Sequence, residues 1–469
     1  PQDPLSTLVR DPGRHVGWSL LGSRMMRFRP WCLTTVAPSI CVRAFCVRAF
    51  CVRAICVLGI CVPALPKDSL AHRIRLKDVL SLSDQDKANL PAKTKRKAIH
   101  KFGLKAVAFR RSFLKKHHTH YEVTVPERDD KLFRVRDQRD SGSCWAFATD
   151  RVLRSKLHTK GKPVTRLSTS FITYHALRRC AHALLEKGAR GRGKPKLSAV
   201  RDADEGGYQP WAMEIIRRQG IVPAGKMKFT ADGADPDLAV ILLQTLIADA
   251  RVVLSELKRN PNASSKLEGA LADYKRQVDQ LLQSTFGKPP KKFKANGKRH
   301  TPKTYARKHL GLKRDDFSYV VLKNNPTRAR NRRYESTKYT GMPTFPEYNV
   351  SMAVIERAAV KTLRRGEAVY FGINSSSDHP YRAAGKHLPK KSRGILSIAA
   401  FNYEDLVPAP ELSKQHRIEA KISKANHAMA ITGFDRGKKR GTVRKWKVQN
   451  SHGRETGDKG LFHMYGDYF

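Results

Sequence analysis

Cysteine is almost missing from most of this sequence. Six of the eight cysteines (Cys32, Cys41, Cys46, Cys51, Cys56 and Cys61) crowd into the N-terminal segment, and only Cys144 and Cys180 follow. A body of about 400 residues with two cysteines is not a disulfide scaffold, so at least one of the two must be explained by chemistry or by packing. Acidic residues are scarce as well: 41 Asp plus Glu stand against 91 Lys plus Arg, a formal charge of +50. Such a field attracts polyanions, whether nucleic acid, anionic membrane or acidic proteins. The basic residues are spread along the chain rather than gathered in one tail, which fits equally well the adaptation of a whole proteome to its milieu. An initiating methionine is missing too. The first residue is Pro1, so the chain is read as a fragment, a processed product or a frame translated from too far upstream, with Met25 and Met26 as the earliest candidate starts.

What is present is enough for a folded protein. A hydrophobic fraction of 40% excludes wholesale disorder, and 469 residues can hold two or three domains or one large core with insertions. Residues 41–65 repeat a five-residue unit (CVRAF CVRAF CVRAI CVLGI CVPAL). Five matches neither the helical nor the strand period, so tandem duplication explains it better than a structural unit does. The apolar run from Ala54 to Leu65, with arginines before it and small residues after it, has the layout of a secretory signal and is too short to span a membrane.

Beyond the leader, residues 93–117 are basic but interleaved with Ile99, Phe102, Leu104, Val107, Phe109 and Leu114, so they are not a plain tail. Apolar spacing predicts helices over 145–158, 170–186 and 209–219, then a long helical hairpin over 236–286 that breaks at Asn260-Pro261-Asn262. A basic loop is expected over 287–303. After residue 317 short β-like runs take over, at 319–322, 368–373, 428–434, 445–448 and 461–465. The order predicts an α+β protein of two lobes: a leader to residue 71, a basic extension over 72–128, a helical lobe over 129–229, a helical insertion over 230–316 and a β-rich lobe over 317–469.

The chemistry gathers at three places. Cys144 stands where a loop containing Gly142 gives way to the 145–158 helix, so the helix dipole favours its thiolate and free N–H groups there can hold an oxyanion. Gln138, six residues upstream, can bring its amide to the same point. His427 opens an apolar β-like run, and Asn450 ends another. A histidine at a strand start can serve the thiol as a base, and the asparagine oxygen can fix its tautomer. Taken singly, each has a plain reading: an inert buried thiol, one histidine among 17, a turn. Their order and their places at element boundaries argue for the conjunction.

The blocks Gln138…Gly142-Ser143-Cys144-Trp145-Ala146-Phe147-Ala148, Asn426-His427-Ala428-Met429 and Asn450-Ser451-His452-Gly453 resemble the three active-site blocks of the papain family. More narrowly, the chain resembles the bleomycin hydrolase and aminopeptidase C branch from about residue 130 onward. Leu167–Phe171, Gly206-Gly207 followed by Trp211, Gly220–Pro223, Thr301-Pro302, Gly366–Gly372 and Lys445–Gly460 fit that branch in order. The resemblance implies a papain-like two-lobed fold with a helical insertion. It implies Cys144, His427, Asn450 and Gln138 in catalysis, Gly206, Gly207, Ser143 and Trp145 in substrate binding, and no metal or organic cofactor. The histidine lies far beyond the roughly 130–150 residues that the papain signature allows, and the insertion accounts for the excess.

The departures are specific. Ser141 stands where secreted relatives carry a disulfide cysteine, which fits a branch that is usually cytosolic and argues against export. Ser143 replaces the branch's usual Arg. His452 replaces a Trp that shields the Asn–His contact. The branch's C-terminal arm, which fills its own cleft, would begin beyond Phe469, so the sequence as it stands is expected to cleave internal bonds of blocked peptides. Two function classes follow. One is a thiol peptidase acting on peptides. The other is a nucleic-acid-binding protein on a peptidase fold with weak or lost activity, supported by the charge, by His452 and by basic clusters at 288–299 and 328–333. The branch is known to form barrel-like hexamers, and some members bind DNA, so a homo-oligomer and a polyanion are the expected partners besides peptides.

Overall fold

A computed structural model describes residues 75–125, 130–191, 196–229, 236–374, 379–409, 412–437 and 442–469. The pentapeptide repeat and the signal-like run lie outside the described residues.

The helical side begins with helix Cys144–Thr159. Helix Thr169–Arg190 starts where the Ser168 hydroxyl accepts the Phe171 N–H at 3.1 Å, an N-cap of the usual kind. Helix Gln209–Gln219 carries Pro210 in its first turn, where a missing N–H costs nothing. The hairpin is formed by Pro236–Arg259 and Ser264–Phe286. It turns where predicted, with the Asn260 side chain accepting from the Asn262 N–H at 3.0 Å. The expected insertion has its core in common with the helical side. Leu243, Ile247, Ala250 and Leu254 of its first helix and Leu271, Val278 and Leu282 of its second belong to one apolar cluster with Phe171, Leu177, Leu184 and Trp145. Each Leu, Ile, Val or Phe side chain among them contributes roughly 1.5–3 kcal/mol through burial, so hairpin and helical lobe stabilise one another. By length and composition the first of these helices could cross a membrane. Its buried stripe at helical spacing is that of a core helix.

The β side is a six-stranded sheet. Strand His427–Asp435 pairs with Lys445–Gln449, which pairs with Leu461–Tyr465, all antiparallel, and Ile395–Leu396 closes that edge in parallel. On its other edge His427–Asp435 pairs antiparallel with Val369–Ile373 along its first half and with Val123–Thr124 near its end. The strand is buried along almost its whole length, as the near-continuous apolar run demands. A second cluster, with Ile431, Phe434, Trp446, Val448 and Met464 at its centre, fills this side. The α+β, papain-like architecture therefore stands.

Three local expectations change. The 287–303 loop contains a hairpin, Phe293–Ala295 against Lys298–His300. Its two-residue turn is Asn296-Gly297, both at positive φ, the dipeptide that such turns favour. The strand at 319–322 shifts to Val321–Lys323, leaving Val320 exposed. The basic stretch 93–117 folds as helices Ala92–Phe102, Leu104–Ala108 and Arg111–Lys116. Its interleaved apolar residues explain this: Val107 packs with Val79, Leu90 and Ala98, and Phe109 with Phe401.

Candidate active site

Helix Cys144–Thr159 runs between the helical core and the sheet, so it is buried on nearly every face rather than along one stripe. Two of its buried charged residues have specific partners. Asp150 takes Arg136 at 3.1 Å, Arg154 at 3.0 Å and the Leu167 N–H at 3.0 Å. Arg151 Nε donates to Gln449 Oε1 at 2.7 Å, tying the helix to the strand that leads into Asn450. Cys144 is the first residue of this helix, and Ser143 before it makes no side-chain cap. The Ala146 N–H goes to the Ser143 carbonyl at 2.9 Å, and the N–H groups of Cys144 and Trp145 before it have no carbonyl of the helix to reach. Those of Cys144 and Trp145, together with that of Ala428 from the facing strand, are directed at the thiol sulfur. They favour the thiolate, yet burial outweighs them and holds the Cys144 pKa above its ordinary value.

His427 opens its strand opposite Ile373, whose carbonyl accepts the Asn426 N–H at 2.9 Å. Asn450 follows Gln449 at the end of the neighbouring strand, fixed by its own N–H on the Gly460 carbonyl at 3.1 Å. Their side chains meet at 2.7 Å, between His427 Nε2 and Asn450 Oδ1. A carbonyl oxygen only accepts, so the Nε2 position carries the proton and the Nδ1 lone pair is left free. Burial lowers the His427 pKa to about 4, against the supporting bond from Asn450. Both shifts favour the neutral form of each side chain.

The loop before Cys144 is stitched to the segment after Asn450. The Gln138 N–H donates to the Ser451 carbonyl at 2.6 Å and the Gly453 N–H to the Arg136 carbonyl at 3.1 Å. Gln138 itself is buried; its amide donates to the Ser141 carbonyl and its oxygen accepts from the Ser451 hydroxyl. A primary amide has two N–H groups, and Ser141 uses one. A thiol at a helix start, an imidazole held by an amide oxygen and a nearby amide donor make a set suited to nucleophilic acyl transfer.

The sequence matches the Peptidase C1-like family over residues 73–469. The chain belongs to the Peptidase C1-like family. Aminopeptidase W of Lactobacillus delbrueckii subsp. lactis is 27% identical over 74% of this chain and 83% of its own length. Aminopeptidase G of the same organism is 29% identical, over 71% and 78%. Aminopeptidase C of Listeria monocytogenes serovar 1/2a is 28% identical, over 70% and 76%. Among solved structures, PepW from Lactobacillus rhamnosis HN001 superposes with a TM-score of 0.67 at 23% identity, covering 82% of this chain and 87% of that one; it shares the fold. The chain is a cysteine peptidase of the papain type, in the aminopeptidase C branch.

Within this peptidase four expected substrate-binding residues fare differently. Ser143 is 1% exposed and its hydroxyl shares a 2.6 Å hydrogen bond with that of Ser141. Trp145 is fully buried and donates through Nε1 to the Glu205 carbonyl at 2.6 Å. Both side chains are buried and hold the loop. Gly207 presses on Trp145 so closely that an added Cβ would lie 2.5 Å from the indole, so only glycine fits. Gly206 is exposed and open to a bound chain.

Glu205 escaped the sequence reading. Its carboxylate accepts the Gly142 N–H at 2.6 Å, two residues before the thiol. Its other oxygen is buried without a partner, and burial pushes its pKa up to about 7. The signal available was an acid abutting the Gly206-Gly207 pair. Ser141, in place of a disulfide cysteine, donates to the Gln138 carbonyl at 2.9 Å, so hydrogen bonds close the loop here. His452 stacks on His427 with ring centres 5.0 Å apart and planes at 22°, covering one face of the base. Cys180 is buried with its thiol on the Asp202 carbonyl at 3.1 Å, and burial pushes its pKa up to about 12. It is a packing cysteine.

Proposed function

We propose that the chain hydrolyses peptide bonds through Cys144, His427 and Asn450, with Gln138 as oxyanion donor. The Cys144 sulfur attacks the substrate carbonyl carbon as its proton passes to His427 Nδ1. The tetrahedral oxyanion is met by the Gln138 amide and a first-turn N–H. Collapse breaks the C–N bond, the imidazolium gives its proton to the departing amine, and a thioester remains. Water, deprotonated by the same imidazole, then releases the acid. Asn450 keeps the ring in the tautomer that leaves Nδ1 free. The observation that carries this reading is the 2.7 Å contact between His427 and Asn450, with Cys144 Sγ against the N–H of the residue next to His427.

The curated relatives bear the name aminopeptidase, so release of N-terminal residues is the proposed mode, in place of the internal cleavage expected from the sequence. A peptide with a free N-terminus and its acetylated twin separate the two. Wild-type protein should turn over the free peptide and spare the acetylated one. Cys144→Ser should lose turnover of both by about 10⁴-fold or more, as removal of a nucleophile does, while its circular dichroism stays unchanged. Comparable turnover by the folded variant would remove Cys144 from its role.

A further inference from the structure

A second site lies between helices Thr169–Arg190 and Gln209–Gln219, where the loop at Gly341 closes onto them. It is a cleft of about 360 Å³ and shares no lining residue with the Cys144 site. Its floor is fixed: the Asp202 carboxylate takes both the N–H and the hydroxyl of Thr340, at 2.9 and 2.7 Å. Gly341 stands at φ +76°, where a Cβ would be 2.8 Å from the Arg179 carbonyl.

The walls are cationic. Arg178, Arg179 and Arg218 line the cleft with His175 and His182, and the single carboxylate among the lining residues is Glu186. The surrounding acids are already engaged. Asp279 takes Arg178 through two bonds, at 2.7 and 2.9 Å, and His182 at 2.9 Å. Glu186 takes Lys275 at 2.7 Å. Glu214 takes Arg217 and Arg218. Arg179 is half-buried and makes no hydrogen bond or close ion pair among the described residues, although the Glu214 carboxylate acts on it from further off. His175 is likewise without a hydrogen bond; its ring is wedged edge-on between Phe171 and Tyr174. Burial and the Arg218 charge disfavour the charged form of Arg179, against the charge of Glu214, so an anion in the cleft would stabilise it. Burial pulls the His175 pKa down to about 4, so at neutral pH its imidazole offers one N–H without charge.

We propose that this cleft binds the phosphate group of a small phosphorylated molecule, with Arg179 gripping two phosphate oxygens and His175 and Arg218 completing the contacts. A planar guanidinium matches phosphate geometry through paired N–H bonds. The volume sits at the small end of the roughly 300–1,000 Å³ of ligand pockets, which suits a phosphate with a modest organic group rather than a polymer.

Isothermal titration of the full chain with inorganic pyrophosphate and with adenosine monophosphate tests this. Saturable binding of either probe is expected, weakened tenfold or more in Arg179→Gln, intermediate in Arg179→Lys and unchanged in Lys391→Gln, an exposed lysine elsewhere on the chain. Peptide turnover should be equal in all four proteins. If Arg179→Gln does not fold, the His175 ring resonance of the wild type must move on saturation with pyrophosphate. No saturable binding, equal affinity in Arg179→Gln, a His175 resonance that stays put, or binding confined to oligonucleotides would each overturn the proposal, the last by assigning the affinity to the overall charge.

Discussion

The two walls that meet at Cys144 are held by different means. On one, His427 and Asn450 sit at the ends of adjacent central strands, fixed by ladder hydrogen bonds and by the apolar cluster behind them. On the other, residues 138–143 form a loop whose shape depends on single side chains: Gln138 on Ser451, Ser141 on Gln138, Glu205 on Gly142. A ladder shares its load over many bonds, so no one residue decides it. A loop closed by individual hydrogen bonds loses one of very few when a side chain is removed, and leaves a buried partner unpaired at a cost of about 1–3 kcal/mol. The strand wall is therefore the robust half of the site and the loop wall the fragile one.

The sharpest way to expose the fragile wall is Gln138→Ala. It removes the proposed oxyanion donor and frees the Ser451 hydroxyl together, so kcat should fall by about 10²–10³ with KM little changed. A change confined to KM would mean that Gln138 only shapes the cleft.

Glu205→Gln separates the clamp from its charge, because a glutamine oxygen still accepts the Gly142 N–H. Burial raises the Glu205 pKa from 4.5 to about 7. Its favourable contribution to stability is thus complete below its unfolded value and is lost as pH climbs through about 7. At pH 8 the variant should be more stable than wild type by roughly 1–3 kcal/mol, and at pH 4 nearly equal. Urea titrations at both values measure it. A variant destabilised at pH 8 would show that the negative charge itself holds the loop.

The smallest effect is expected on the strand wall, at His452→Trp. A larger ring stacked on His427 covers the contact with Asn450 at least as well, so turnover should be unchanged or slightly raised. A large fall would give His452 a task of its own and make the strand wall less tolerant than the comparison requires.

How much of this was legible follows the same division. Cys144, His427 and Asn450 stood out in the sequence because each sits at a boundary that periodicity can find, a helix start or a strand end. The helical hairpin was legible from its apolar spacing and its Asn-Pro-Asn break. The loop wall was not, because its partners are far apart along the chain: Glu205 reaches Gly142 across 63 residues and Ser451 reaches Gln138 across 313. No local pattern encodes such meetings. Trp145 was expected at the substrate through the resemblance, and its burial against Gly207 and the Glu205 carbonyl is another meeting that no local pattern encodes. The hairpin at Asn296-Gly297 was encoded locally but masked by the basic residues around it.

The account stands most directly on the identity of the reacting thiol. The described residues hold two free cysteines, Cys144 at the start of its helix and Cys180 buried in the helical core. Folded, reduced protein should be treated with an epoxide-type thiol inhibitor, digested, and the adduct mapped by mass spectrometry. The account predicts one adduct, on Cys144, with labelling and peptide turnover declining together. A folded protein that loses activity with Cys144 unmodified, or that carries its adduct on Cys180, would contradict it.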